Sequence, residues 1–130
     1  MNDTTIIILA AGKGTRMNSQ YQKIVHSVGG KPMVQHVYEA SAAASSTPPV
    51  MVVGPGEDGV QTLFGTLADY AVQSEQLGTG HATAVAKELA LATGGNRVIV
   101  TYGDMPLFKP ETMIGLLHVT CQMLLCKVHN

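Results

Sequence analysis

Four short apolar runs alternate along this chain with segments of helix-forming residues, and this alternation limits its fold more than any other feature. Each run is rich in β-branched or other apolar residues, as in strands that are covered on both faces. The runs are Thr5–Leu9, Val50–Val53, Tyr70–Gln73 and Val98–Tyr102, and the predicted helices are Pro32–Ala43, a segment around Val60–Leu67, His81–Ala92 and Pro110–Val119. The sequence therefore predicts a mainly parallel sheet with helices on both faces, a three-layer α/β sandwich.

Composition excludes several classes of protein. The chain has 130 residues, 8 Lys and Arg against 9 Asp and Glu, a net charge of −1 and 45% apolar residues. These values suit one globular domain, exclude intrinsic disorder and argue against a nucleic-acid partner. No apolar run reaches the roughly 18–20 residues of a membrane-spanning helix, so no membrane partner is expected. The two cysteines, Cys121 and Cys126, without a cationic export signal at the start, favour a cytoplasmic, reducing setting.

The loop Leu9–Met17 (LAAGKGTRM) directly follows the first predicted strand, and its small residues let backbone N–H groups approach an anion closely. Arg16 can hold a phosphate through two parallel hydrogen bonds, and no acidic residue occurs between Asp3 and Glu39. The third glycine of a dinucleotide fingerprint and the Gly-Lys-Ser/Thr of a Walker loop are both missing. The spacing alone favours a phosphate-binding loop and an ordinary tight turn about equally. Lys23 either reaches back over this loop or lies on the surface, as most lysines do.

The segment Gln73–Ala82 (QSEQLGTGHA) follows the third predicted strand. The Gln73 amide can pair with the edge of a base, and the two glycines of the segment allow a ligand to approach closely. The alternative is a plain helix start with Thr79 as the N-cap. His81 falls in the first helical turn, and we expect it to cap or pack rather than to act as a base, because no partner carboxylate is evident.

Asp104 follows the fourth predicted strand, where a carboxylate suits a Mg²⁺ that bridges phosphates. One carboxylate is not a metal site by itself, and an isolated Asp at a strand end also commonly caps a turn. In parallel sheets ligands lie beyond the carboxyl ends of the strands. The segments after Leu9, Gln73 and Tyr102 are therefore predicted to converge on one site.

Together, these segments resemble the sugar-nucleotide pyrophosphorylases, nucleotidyltransferases with a Rossmann-like fold. LAAGKGTRM followed by Lys23 is the general signature of that superfamily. The segments QKIVHSVGGKPMVQHV, QSEQLGTGHA and VTYGDMPL are more specific, and they are similar to the uridylyltransferase domain of the bacterial N-acetylglucosamine-1-phosphate uridylyltransferases. The resemblance covers the chain from Ile6 to His118, with the motifs in order and at the spacing of the family.

This resemblance implies uridylyl transfer, in which the phosphate of N-acetylglucosamine 1-phosphate attacks the α-phosphorus of UTP and pyrophosphate leaves. It implies that Arg16 and Lys23 are catalytic and that Asp104 binds the cofactor, Mg²⁺. The nucleotide-binding residues that it implies are Leu9, Ala10, Ala11, Gly12, Lys23, Gln73, Gly78, Thr79, Tyr102, Gly103 and Asp104. Because the attacking group is already an anion, the reaction needs placement and charge neutralisation rather than a general base.

Two alternatives stay open. One is another member of the superfamily, such as a molybdenum-cofactor nucleotidyltransferase. Those proteins resemble LAGG rather than LAAG at the loop and lack QSEQLGTGHA, so Ala11 and Gln73 discriminate between the two types. The other alternative is a non-catalytic nucleotide-binding fragment.

Three features depart from the family pattern. Gln22 replaces the proline that usually precedes the lysine. The sugar-binding residues of the family, and the Asn that shares Mg²⁺ with Asp104, have no counterpart. Residues 1–119 are expected to form the N-terminal part of a nucleotidyltransferase domain, and residues 120–130 (TCQMLLCKVHN) a tail that does not resemble the family. We therefore expect a truncated domain in which the strand Val98–Tyr102 is an exposed edge, with low stability and self-association.

Overall fold

The computed structural model of the chain describes residues 4–12, 23–56, 58–94, 97–107 and 109–119. Its strands and helices are β1 (Thr4–Leu9), β2 (Ser27–Val28), β3 (Lys31–Pro32), α1 (Met33–Ala44), β4 (Val50–Val53), α2 (Asp58–Phe64), β5 (Asp69–Val72), α3 (Thr79–Val85), α4 (Lys87–Ala92), β6 (Arg97–Tyr102) and α5 (Pro110–Val119). Short 3₁₀ helices span Lys23–Val25 and Gly65–Leu67. None of the helices in this described part of the chain has the length and apolar character needed to span a bilayer.

Within the residues that the structure describes, four parallel strands form the central sheet, in the order β5–β4–β1–β6. β1 pairs with β6 along its whole length, from Thr4 opposite Arg97 to Leu9 opposite Tyr102. The chain first moves from β1 through β4 to β5, and it then returns to the far side of β1 as β6. This reversal makes the gap between β1 and β6 the point at which open α/β sheets bind their ligands. Among the described residues β6 forms one edge of the sheet, at the position of the predicted edge strand.

Helices cover both faces of the sheet, which explains why the strands are continuous apolar runs. On one face, β1, β4, α1, α2 and α5 contribute a buried cluster that includes Ile6, Ile8, Val34, Val37, Met51, Val60, Phe64 and Met113. On the other face, the cluster contains Ile7, Ala11, Val50, Val52, Ala71, Ala82, Ala86 and Ala90, so small alanines bring α3 and α4 close to the strands. The predicted three-layer α/β sandwich with a mainly parallel sheet is confirmed.

A two-stranded antiparallel ribbon, β2–β3, precedes α1 and was not predicted. It turns at Gly29 and Gly30, whose φ angles of 60° and 84° are both positive, as a two-residue type I′ hairpin requires. Pro32 was expected in the first turn of the helix, and this prediction was wrong. Pro32 instead pairs with Ser27 in the ribbon and is the N-cap residue of α1.

Three further predictions around α3 need correction. The helix expected over His81–Ala92 is two shorter helices, α3 and α4, which are separated by the fully buried Ala86. Thr79 is not the N-cap but the first residue of α3, because Gly78 occupies the cap position with a φ of 101° that favours glycine. The third strand ends at Val72, so Gln73 follows the strand rather than ending it.

Candidate functional site

The segments that follow β1, β5 and β6 meet at one cavity of about 320 Å³ at the carboxyl edge of the sheet. The residues that line the cavity are Leu9, Ala11, Gly12, Ile24, Gln73, Gln76, Gly78, Thr79, Ala82, Tyr102 and Asp104. The cavity therefore lies where the strand order reverses, and residues distant in sequence share its wall.

Backbone hydrogen bonds continue from the strands into the loops around the cavity. The first residue after each of three strands donates its N–H to a carbonyl oxygen of the neighbouring strand. These bonds run from Ala10 to Val52 (2.8 Å), from Gln73 to Val53 (2.8 Å) and from Gly103 to Leu9 (2.9 Å). These bonds fix where each loop begins, so the three loops start at the same edge of the sheet.

Gly103 occupies a position where a side chain would be tightly crowded. A Cβ atom there would lie 3.2 Å from the carbonyl oxygen of Leu9 and 3.6 Å from methyl groups of Ile24 and Val34. The glycine at position 103 therefore lets the chain leaving β6 pass close to the end of β1 without displacing its neighbours. This close approach brings Tyr102 and Asp104 to the same cavity as Leu9.

The side chain of Gln73 is buried, with 4% of its surface exposed, yet it reaches the cavity wall. Its amide nitrogen Nε2 donates to Nδ1 of His81 over 2.9 Å and lies 3.4 Å from the carbonyl oxygen of Gly78. His81 therefore packs against the loop residue, in line with the expectation that it caps or packs. The amide is held by groups from its own loop and from the first turn of α3.

Gln76 is a cavity residue that the sequence reasoning missed. Its Nε2 donates a hydrogen bond of 2.6 Å to the backbone carbonyl oxygen of Ala11, so it connects the loop after β5 to the loop after β1. Its place in the motif QSEQLGTGHA was the available signal, because an amide three residues after Gln73 lies in the same loop. Ile24 and Ala82 were also missed, and their apolar side chains carried no signal in the sequence.

The structure brings most of the predicted nucleotide-binding residues together. Those that line the cavity are Leu9, Ala11, Gly12, Gln73, Gly78, Thr79, Tyr102 and Asp104. Ala10 and Gly103 are buried and are not among the residues that line the cavity. Arg16 lies outside the described residues, and Lys23 begins the 3₁₀ helix Lys23–Val25, with its side chain outside the described part. The neighbouring Ile24 places the start of that helix beside the cavity.

Asp104 supplies one exposed carboxylate to the cavity, from the turn after β6. Within the described part of the chain, no group of three or more His, Cys, Asp and Glu residues is arranged to hold a metal ion. Mg²⁺, however, commonly binds through one or two carboxylates, waters and the phosphates of a substrate. A single carboxylate at the edge of an open cavity fits that mode and does not fit an all-protein metal cage.

Comparison with known proteins identifies the family of the chain. The sequence model of the MobA-like NTP transferase domain family matches residues 6–124. The bifunctional protein GlmU of Exiguobacterium sibiricum is 48% identical over 111 residues, which are 85% of this chain and 24% of that protein. GlmU of Enterococcus faecalis is 44% identical over 116 residues, which are 89% of this chain and 25% of that protein. The chain thus spans about a quarter of the length of these curated relatives.

A solved structure has the same fold. The CTP complex of a CMP:2-keto-3-deoxy-manno-octonic acid synthetase superposes with a TM-score of 0.68 at 23% identity, covering 88% of this chain and 46% of that one. The relatives confirm the predicted resemblance to nucleotidyltransferases, and the structural neighbour agrees with it in fold. Because the family model spans nearly the whole chain, the chain belongs to the MobA-like NTP transferase domain family and is a nucleotidyltransferase by family.

Proposed function

We propose that the cavity binds UTP together with Mg²⁺, and that the chain is the nucleotide-binding part of an enzyme that transfers a uridylyl group to N-acetylglucosamine 1-phosphate. The observation that carries the proposal is the shared cavity, to which Gly12, Gln73 and Asp104 contribute from three separate loops. These loops are the ones whose motifs resemble the uridylyltransferases. Residues 1–119 are, in this proposal, the N-terminal part of that domain, and a cytoplasmic setting stays a prediction.

The loop after β5 is proposed to hold the base. Gln73, Gly78 and Thr79 form one part of the wall, and the small side chains of Ala11 and Ala82 leave space between the loops. A cavity of about 320 Å³ lies within the range of about 300–1,000 Å³ for pockets that bind small ligands. Polar groups concentrated on a mainly small and apolar wall suit a flat heterocycle with a few hydrogen-bonding atoms.

The phosphates are proposed to lie toward Gly12 and Asp104. Gly12 is the last described residue before the segment that carries Lys13 and Arg16, and Lys23 follows that segment. The cations Lys13 and Arg16, and the open backbone at Gly12, favour a polyphosphate at this end of the cavity. Asp104 would hold the Mg²⁺, which would neutralise charge on the phosphates when bound.

The proposed reaction balances without a general base. An anionic oxygen of N-acetylglucosamine 1-phosphate forms a bond to the α-phosphorus of UTP, and the bond from that phosphorus to the bridging oxygen breaks. Pyrophosphate leaves with the electron pair of that bond. Arg16 and Lys23 are proposed to hold the phosphates in line and to stabilise the charge that develops, which is how most phosphoryl-transfer sites act.

Binding of UTP tests the proposal directly. We expect the folded chain to bind UTP in the presence of Mg²⁺ in isothermal titration calorimetry. Asp104→Asn should weaken that binding about tenfold, because a neutral amide is a poorer Mg²⁺ ligand than a carboxylate. With EDTA in place of Mg²⁺, the variant and the parent chain should bind alike. Glu88→Gln, which removes a carboxylate on α4 outside the cavity lining, is the control, and a folded chain without UTP binding would contradict the proposal.

A non-catalytic nucleotide-binding fragment is the second candidate, and the chain spans about a quarter of the length of the GlmU protein that it matches. Release of pyrophosphate from UTP after addition of N-acetylglucosamine 1-phosphate separates the two candidates. Turnover that Arg16→Ala abolishes would support the enzyme. UTP binding without turnover would support the fragment, and this is the result that we expect for the isolated chain.

A further inference from the structure

His81 contacts the Gln73 amide from behind the cavity. Its Nδ1 lies 2.9 Å from Nε2 of Gln73, and the ring belongs to the first turn of α3. Gln73 lines the cavity, whereas His81 is not among the lining residues. In this arrangement His81 would act on a ligand through the amide that it holds.

The neighbours of the amide determine which of its two ends faces the protein. The backbone carbonyl of Gly78 can only accept a hydrogen bond, and it lies 3.4 Å from the end that faces His81. That end must therefore be the NH₂ group, since a carbonyl oxygen there would face another carbonyl oxygen. It follows that His81 accepts at Nδ1 and carries its ring proton on Nε2.

We propose that His81 is a positioning residue that holds the Gln73 amide in the orientation set by the Gly78 carbonyl, with the carbonyl oxygen of Gln73 presented to a pyrimidine base, and that it thereby favours uracil over cytosine. This inference rests on the proposed binding of UTP. The N3 atom of uracil carries a proton and can donate to Oε1 of Gln73. The N3 atom of neutral cytosine has a lone pair instead, which would face the same oxygen without a hydrogen bond.

Without His81, the orientation of the amide would be held weakly. The Gly78 carbonyl identifies the NH₂ end of the amide, but this contact is 3.4 Å long and holds that end weakly, so the 2.9 Å bond to His81 supplies most of the hold. A half-turn of the amide would then direct N–H groups into the cavity and suit cytosine. The fold does not decide between the bases, since a protein with the same fold has been solved with CTP bound.

Substitution of His81 by two different amides tests the proposal. Asn can place its Oδ1 near the position of the Nδ1 that accepts from Gln73, whereas Gln extends toward the position of Nε2. Dissociation constants for UTP and for CTP, measured by calorimetry in Mg²⁺, give the preference of each variant. We expect His81→Asn to keep the preference of the parent chain for UTP. His81→Gln and His81→Leu should each reduce the preference about tenfold, partly through tighter CTP binding, because the amide is free to turn.

The outcomes distinguish this inference from the proposed function. A parent chain that binds neither nucleotide would overturn both. If the parent chain prefers UTP and the folded His81→Gln and His81→Leu variants keep that preference, the inference alone fails. The inference alone also fails if a folded His81→Asn variant loses the preference for UTP. Lys87→Ala, an exposed change on the adjacent α4, is the control and should leave both dissociation constants unchanged.

Discussion

Gln76 donates a hydrogen bond of 2.6 Å from its side-chain Nε2 to the backbone carbonyl oxygen of Ala11, although the two residues are 65 positions apart. Both residues line the cavity. The bond therefore joins the loop after β5, proposed to hold the base, to the loop after β1, which leads to the proposed phosphate segment. A ligand that contacts both loops finds their relative position already fixed, which lowers the entropy lost on binding.

Removal of this bond should weaken nucleotide binding more than it weakens the fold. We expect Gln76→Ala to raise the dissociation constant of UTP about fivefold, the effect of losing roughly one net hydrogen bond. The free energy of unfolding in urea should change little, since Gln76 is an exposed residue and water can hydrogen-bond to the freed carbonyl. Glu75→Ala, an exposed change at the preceding position, is the control. Equal UTP affinity of Gln76→Ala and the parent chain would show that the loops do not depend on this bond.

Gly103→Ala should destabilise the fold, because the added methyl group would lie 3.2 Å from the carbonyl oxygen of Leu9. Either β1 and β6 separate at their ends or the packing of Ile24 and Val34 shifts, at a cost of about 1–3 kcal/mol. Urea denaturation measures this loss. The matched control is Gly115→Ala in α5, where nothing lies within 4 Å and the helix should gain about 0.5–1 kcal/mol. Equal unfolding midpoints for both variants would contradict the prediction.

The layers of the fold could be predicted because burial on both faces leaves a direct mark in the sequence. Ile6, Ile7 and Ile8 are consecutive and all buried, and they alternate between the two apolar clusters. Such a run is typical of a strand in a sheet that helices cover on both faces. The ribbon β2–β3 was missed for the opposite reason: its strands are two residues each, too short for any periodicity, although the Gly29–Gly30 pair was a usable hairpin signal.

The sequence could predict which loops form the cavity, but it could not predict the hydrogen bonds between them. The order of strands and helices placed Gln73 and Asp104 at the same edge of the sheet, and both line the cavity. The hydrogen bonds from Gln73 to His81 and from Gln76 to Ala11 depend on the path of the loops, which no sequence period encodes. The N-cap of α3 could not be predicted either. It is Gly78, with a φ of 101°, and not the predicted Thr79.

The ion pair between Lys31 and Glu39 should make the stability of the fold depend on pH. Lys31 Nζ lies 2.8 Å from Glu39 Oε2, which joins the ribbon to α1, and Gln35 also donates to Glu39. The hydrogen bond from Lys31, followed by that from Gln35, lowers the pKa of Glu39 below its ordinary value of 4.5. Because the folded-state pKa is depressed, the pair contributes its stability above pH 4.5 and loses it as the pH falls through the lower folded-state value.

Replacing Lys31 by Met should raise the pKa of Glu39 toward 4.5, as measured from the side-chain carboxyl carbon shift in an NMR titration. Added salt should also raise the pKa of Glu39 in the parent chain, because both side chains are exposed and screening weakens their attraction. Lys87→Met, which removes an exposed lysine from α4, should leave the titration of Glu39 unchanged. An unaltered pKa in Lys31→Met would mean that the ion pair does not persist in solution.

Gly78 combines a backbone angle that favours glycine with a position in the cavity wall. Its φ of 101° is one that side-chain-bearing residues rarely adopt, so Gly78→Ala should cost about 1–3 kcal/mol. Its carbonyl also lies next to the Gln73 amide and accepts from Ala82, so the variant should weaken UTP binding as well. Gly80→Ala, two residues later and with nothing within 4 Å, should leave stability intact or improve it. Calorimetric titration with UTP and urea unfolding of both variants check this contrast, and similar behaviour of the two would show that the conformation of residue 78 has no special role.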